Sequence, residues 1–201
     1  MFVTFEGIDG SGKTTQAARL ADAFRARGAD VVETREPGGT PLGEAVRDLV
    51  LHGDHVAPWA EAALYTASRA QHVEEVVRPA LARGAVVVCD RYLDSSVAYQ
   101  GYGRGLGPDR IRDLSLWATG GLLPDLSVLL DVDPRQGLAR FEQRDRLEAE
   151  PVEFHDRVRA GFREVAAANP DRYLVLDAAL PVGEIADRIA DRVLADLRDR
   201  A

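Results

Sequence analysis

Residues 5–16 read "FEGIDGSGKTTQ", and within them Gly7-Ile8-Asp9-Gly10-Ser11-Gly12-Lys13-Thr14 satisfies G-x-x-x-x-G-K-[ST] in full. The octapeptide follows a strand-like "FVTFE" (2–6) and opens a helical pattern at residue 13. In that context the glycines let successive backbone N–H groups turn inward around phosphates, and the helix N-terminus adds the positive end of its dipole. Lys13 is then expected to reach the β- and γ-phosphates of a nucleoside triphosphate, and the Thr14 hydroxyl to ligate Mg²⁺. Residues Gly7 to Thr14 together with Thr15 form the expected triphosphate cradle. Asp9 does not fit this picture, because a carboxylate among phosphates is repelled. Either the cradle reading is wrong or Asp9 faces something else.

Outward from the loop, short β-branched runs alternate with longer helical patterns. "FVTFE" (2–6), "DVVETR" (30–35), "AVVVCD" (85–90), "LSVLLDV" (126–132) and "YLVLDA" (173–178) read as five strands. The third is apolar without interruption, as a strand covered on both faces should be. Helical patterns span 13–27, 42–51, about 59–83, about 95–101, 108–118, 134–142, 151–168 and 182–199. The last two start at Pro151 and Pro181. The alternation predicts one α/β domain over 1–201, with a mostly parallel sheet.

The bulk properties exclude several classes. A net charge of −8 disfavours nucleic acid as partner, since a long polyanion needs a basic stripe. No apolar run approaches the roughly 18 residues of a membrane span, and the opening residues lack a signal-peptide pattern. The expectation is therefore a cytoplasmic protein without membrane contact. Cys89 is the only cysteine and is expected to be buried as a small hydrophobe. The four histidines show no metal-ligand spacing. Lys13 is the only lysine, every other cationic side chain at neutral pH being arginine. Base composition is the plain reading of the arginine excess. A lysine kept in the glycine loop suits a slim ammonium lying along bridging phosphate oxygens.

Three stretches suggest a second ligand. "TREPGGTPLG" (34–43) follows the second strand, and Arg35 stands at the strand's carboxyl end, where ligands bind in parallel α/β sheets. In "LYTASRAQH" (64–72), Tyr65 and Arg69 are four apart on one helix face, able to hold a flat base by stacking and a hydrogen bond. Taken alone, a core tyrosine and a solvated arginine explain that pair better. In "CDRYLDSSVAYQGYGRG" (89–105), Asp90 is placed to hold Mg²⁺ through water and Arg91 to grip a phosphate. A structural ion pair explains these two equally well until the phosphate loop is considered with them. Ser96, Tyr99 and Gln100 follow at helical spacing as a polar lining. Farther on, "ARFEQRDRLEAE" (139–150) carries Arg140, Arg144 and Arg146, which read either as a surface charge run or as a mobile flap.

Taken in order, "FEGIDGSGKTTQ", "TREPGGTPLGE", "DRYLDSSVAYQG" and "DRLEAE" resemble bacterial thymidylate kinase, of the nucleoside monophosphate kinase group, from residue 1 to about 195. The resemblance implies a P-loop NTPase fold: a five-stranded parallel sheet flanked by helices on both faces, with a short arginine-containing lid at about 140–150. It also implies a homodimer and transfer of the γ-phosphoryl of MgATP to dTMP. Asp9 then accepts a hydrogen bond from the acceptor's 3′-hydroxyl and so faces the monophosphate, while Arg35 and Arg91 surround the dTMP phosphate. Tyr65 stacks on thymine, Arg69 donates to its O4, Ser96 and Gln100 contact the base, and Tyr99 excludes a 2′-hydroxyl. Arg140 lies against adenine, with the segment after Asp177 closing that pocket. Some relatives carry an arginine within the phosphate loop where this chain has Gly10 and Ser11, which makes Arg144 or Arg146 the source of catalytic charge. Two alternatives stand at this point: a kinase for another nucleoside monophosphate or deoxynucleoside, and a nucleotide hydrolase that works as a switch.

Overall fold

A buried strand β1 (Phe2–Glu6) runs through the middle of a parallel five-stranded sheet of order β2-β3-β1-β4-β5. The others are β2 (Val31–Arg35), β3 (Val86–Asp90), β4 (Leu126–Asp131) and β5 (Tyr173–Asp177). The computed structural model describes residues 1–140 and 145–198. Along β3 the side chains alternate between two apolar clusters. Val86 and Val88 pack with Leu20, Phe24 and Ile189, whereas Val87 and Cys89 pack with Val77, Leu93 and Ile111. Both faces of the sheet are therefore covered by helices, which is why the strand is apolar throughout. Each fully buried valine there contributes about 1.5–3 kcal/mol.

The helices follow the sequence pattern closely at first: α1 (Lys13–Arg25), α2 (Pro41–His52) and α3 (Pro58–His72). The reading of one helix over about 59–83 is corrected. After α3 the backbone widens into a π-helical turn, Val73–Val77, before α4 (Arg78–Ala82). Pro79 lacks an N–H, so the preceding carbonyls cannot all keep their α-helical partners, and the wider turn accommodates the loss. Similarly, the helix expected at about 95–101 begins earlier, as α5 (Leu93–Ser96), and continues as a π-helix over Val97–Gly103. Then come α6 (Pro108–Thr119), α7 (Pro134–Leu138), α8 (Val152–Ala168) and α9 (Val182–Arg198). The expected helix 134–142 thus stops at Leu138, and residues 141 and 142 lie outside the described residues, as does residue 199 of the last pattern.

Register decides what meets at the sheet's carboxyl edge. Phe5 is opposite Asp90 in the β1–β3 pair, and Arg35 is opposite Asp90 in the β2–β3 pair. The loops after β1, β2 and β3 consequently open on one crevice. It lies beside β1, where the chain switches from building one half of the sheet to the other.

Candidate active site

The loop after β1 is shaped by glycine. Gly7, Gly10 and Gly12 all have positive φ, and Gly12 precedes α1 with no side-chain cap. The first N–H groups of α1 are thus left for an anion. A methyl group on Gly10 would strike the Gly137 carbonyl, and one on Gly137 would strike the carbonyl of Asp9. Helix α7 therefore packs directly on the loop, through a glycine that sequence reasoning did not single out.

Lys13 is buried and donates from Nζ to the Ile8 carbonyl at 2.8 Å. Burial and the Arg91 charge lower its pKa to about 8, against the opposing pull of Asp9, Asp90 and Glu6. Thr14 Oγ1 donates to Asp90 Oδ2 at 2.6 Å, while Asp90 Oδ1 is buried without a hydrogen-bond partner among the described residues. A hydroxyl beside a carboxylate that has an oxygen unspent is a hard-oxygen donor set, and it fits Mg²⁺. Arg140 lies on the same loop, its guanidinium donating to the Gly10 carbonyl at 2.6 Å.

Asp9 turns away from the cradle. Its carboxylate pairs with Arg91 and accepts from the Tyr99 hydroxyl at 2.7 Å. Burial by itself would raise the Asp9 pKa. The charges of Arg91 and Lys13, with the hydrogen bonds from Tyr99 and Arg91, outweigh burial and hold it well below the usual carboxylate range. Arg91 has φ 70°, the only positive value at a non-glycine among the described residues. That left-handed turn aims its guanidinium back at the loop, where it also donates to the Gly7 carbonyl at 2.9 Å and to Ser95 Oγ at 3.1 Å. Beneath it, Glu6 accepts from the Tyr92 N–H at 2.9 Å and from Ser95 Oγ at 2.6 Å.

Two cavities meet at this pair. The larger cleft, about 1170 Å³, is lined by Lys13, Thr14, Thr15, Arg35, Asp90 and Arg140 among others. The smaller is lined by Tyr65, Arg69, Ser96, Tyr99 and Gln100, and also by Asp145, Leu147 and Glu148. Asp9 and Arg91 line both. Arg69 is almost fully buried and far from solvated: Nε donates to Glu36 at 2.8 Å, Nη1 to Ser115, and Nη2 to the Tyr92 carbonyl and Ser96 Oγ. Gln100 Nε2 donates to Glu61 at 2.9 Å. Arg35 stands exposed at the cleft, paired with Glu44.

The two arginines expected in a lid divide. Arg144 lies outside the described residues. Arg146, expected to be available to the loop, is held elsewhere: Nε donates to the Val50 carbonyl at 2.8 Å and Nη2 to Glu61 at 2.6 Å. It lines neither cavity. A buried carboxylate outcompetes water for it. Sequence reasoning missed Glu36, Arg47 and Glu148, which line both cavities, and also missed Glu6 and Glu61. For Glu61 a signal existed, since 61, 65 and 69 share one helix face at steps of four.

Comparison with known proteins supplies a family. A family model described as thymidylate kinase matches residues 5–189. A thymidylate kinase of Clavibacter sepedonicus is 57% identical over 197 residues, covering 96% of this chain and 93% of the relative. One from Synechococcus sp. (strain JA-3-3Ab) is 55% identical over 189 residues, covering 94% and 93%. Among solved structures, the thymidylate kinase of Ehrlichia chaffeensis superposes with a TM-score of 0.81 at 36% identity, covering 96% of this chain and 98% of that one.

Proposed function

This chain belongs to the thymidylate kinase family, and on that premise we propose that its two cavities hold donor and acceptor head to head across the Asp9–Arg91 junction. It is an ATP-dependent phosphotransferase that moves the γ-phosphoryl of ATP onto dTMP, giving dTDP and ADP. The observation that carries the two-cavity reading is that Asp9 and Arg91 line both spaces.

In this reading the larger cleft takes ATP, with its phosphates against the N–H groups of residues 7–15 and Lys13. Thr14 and Asp90 hold Mg²⁺. A magnesium ion there supplies positive charge to the phosphate oxygens. The smaller cavity takes dTMP. Tyr65 lies against the thymine ring, Arg69, Ser96 and Gln100 read its edge, and Tyr99 fills the space beside the deoxyribose. Arg91 and Arg35 bind the monophosphate. Asp9 accepts from the 3′-hydroxyl, which resolves why a carboxylate sits in a phosphate loop.

Phosphoryl transfer asks for alignment and charge neutralisation, not for a protein nucleophile. Lys13 stays protonated at neutral pH and holds oxygens on the transferring group. Arg91 neutralises the attacking phosphate. Arg140, already on the loop, is a more accessible second cation than Arg146.

A homodimer is part of the proposal. Trp117 on α6, Trp59 on α3 and Leu49 on α2 are exposed, and α3 contacts both α2 and α6. Exposed large apolar side chains on neighbouring helices are what an interaction face would use.

Steady-state ATP consumption with dTMP, dCMP, dGMP and no acceptor tests the reading. Turnover should require an acceptor and favour dTMP. ATP turnover equal with and without dTMP would contradict it.

A further inference from the structure

We propose that Glu61 is a positioning residue for base selection: it fixes which atom of Gln100 faces the smaller cavity, and it pins a second stretch of that cavity's lining. The inference rests on the assignment of that cavity to dTMP.

Glu61 is fully buried on α3 and is the meeting point of three side chains. It accepts from Gln100 Nε2 at 2.9 Å, from Arg104 Nε and Nη2 at 3.3 and 3.2 Å, and from Arg146 Nη2 at 2.6 Å. Burial pushes its pKa up, but the hydrogen bonds from Arg104, Gln100 and Arg146 outweigh burial and leave it lowered. Glu61 is therefore ionised at neutral pH, and an ionised carboxylate only accepts. A glutamine amide presents nitrogen at one end and oxygen at the other, and against such a carboxylate only the nitrogen end fits. Gln100 Oε1 is thereby directed away from Glu61, on a residue that lines the cavity.

Its neighbour there has the opposite polarity. Ser96 Oγ accepts from Arg69 Nη2 at 3.0 Å, which leaves the serine proton to be donated. An acceptor at Gln100 beside donors at Ser96 and Arg69 complements the N–H and C=O of a thymine edge. Cytosine presents the reverse pattern, an acceptor nitrogen and an amino group. A base that mismatches both leaves buried polar groups unpaired, worth about 10- to 100-fold in selectivity.

A second stretch of the lining is tied to the same carboxylate. Asp145, Leu147 and Glu148 line the cavity, and Arg146 between them is anchored on Glu61 and the Val50 carbonyl. One buried charge thus sets both the polarity of the pocket wall and the position of the stretch around Arg146.

The test is a double-mutant cycle of Glu61→Gln and Gln100→Leu, with kcat and KM measured for dTMP and dCMP. In the wild-type background Glu61→Gln should lower the dTMP/dCMP ratio of kcat/KM about 10-fold or more, chiefly by raising KM for dTMP. In the Gln100→Leu background the same change should alter that ratio by less than about 2-fold. Equal losses on both substrates, or an undiminished effect without Gln100, would overturn the inference. Wild-type turnover of dTMP in the same assay reports on the functional assignment separately. Neutron diffraction from deuterated wild-type crystals needs no variant: two deuterons on the Gln100 atom facing Glu61 are expected, and a bare oxygen there would overturn the inference.

Discussion

Asp9 and Arg91 lie 82 residues apart in sequence, and their side chains form an ion pair at the wall shared by two cavities. The pair is possible because β1 and β3 are parallel neighbours in register, so that the loop after one strand faces the turn after the other. Asp9→Asn removes the acceptor proposed for the 3′-hydroxyl as well as the charge opposite Arg91. The expected result is a fall in kcat/KM for dTMP of about 10- to 100-fold, with KM for ATP nearly unchanged. An analogue lacking the 3′-hydroxyl should lose much less. Steady-state kinetics with both acceptors checks this.

Lys13 sits under the loop with its pKa lowered to about 8 by burial and by Arg91. Lys13→Ala should reduce kcat by about 1000-fold or more, as loss of a charge contact to a transferring phosphoryl does. The sign of the pH effect follows from the shift. The ammonium is intact below pH 8 and is lost as pH rises through it. For the free enzyme, kcat/KM for ATP should decline above about pH 8, and a pH–rate profile extended to pH 9.5 measures it.

Asp90 offers one oxygen to Thr14 and has another without a hydrogen-bond partner among the described residues. Asp90→Asn replaces a carboxylate with a weaker, neutral donor set. The magnesium concentration for half-maximal rate should rise about 10-fold or more, with the melting temperature little changed. Titrating Mg²⁺ at saturating ATP and dTMP decides it.

Glu6 is buried under the Arg91 turn, and burial, then the neighbouring charge of Asp94, raises its pKa to about 8. An unfolded glutamate titrates near 4.5. Between these values the folded state holds a proton that the unfolded state has released, so this group's contribution to stability falls as pH rises from 4.5 towards 8. Glu6→Gln removes the titration. Its melting temperature should gain on the wild type from pH 5.5 to about 8 and level off above that, and parallel curves would contradict the assignment.

Much of this was legible in advance. The five strands lie within a residue of their expected limits at either end, because short β-branched runs between helical patterns leave few alternatives. The phosphate loop was explicit, since its glycines have no other use. The π-helical turns were hidden: widening a turn moves a hydrogen bond along the backbone and leaves the side-chain pattern nearly intact. Buried acids were hidden for another reason. Glu6, Glu36 and Glu61 look like surface glutamates until the arginines, N–H groups and hydroxyls that satisfy them are brought together from distant parts of the chain. The partner of Arg146 was hidden by the same route, because Glu61 holds it.

The most direct measurement of the central claim is a crystal structure of the enzyme soaked with ADP and dTMP together. The diphosphate should lie on residues 7–15, with thymine between Tyr65 and Arg69 and the monophosphate on Arg91, both phosphate chains pointing at the Asp9–Arg91 pair. Either nucleotide bound with its phosphate turned away from that pair, or dTMP lodged outside the cavity of Tyr65 and Arg69, would contradict it.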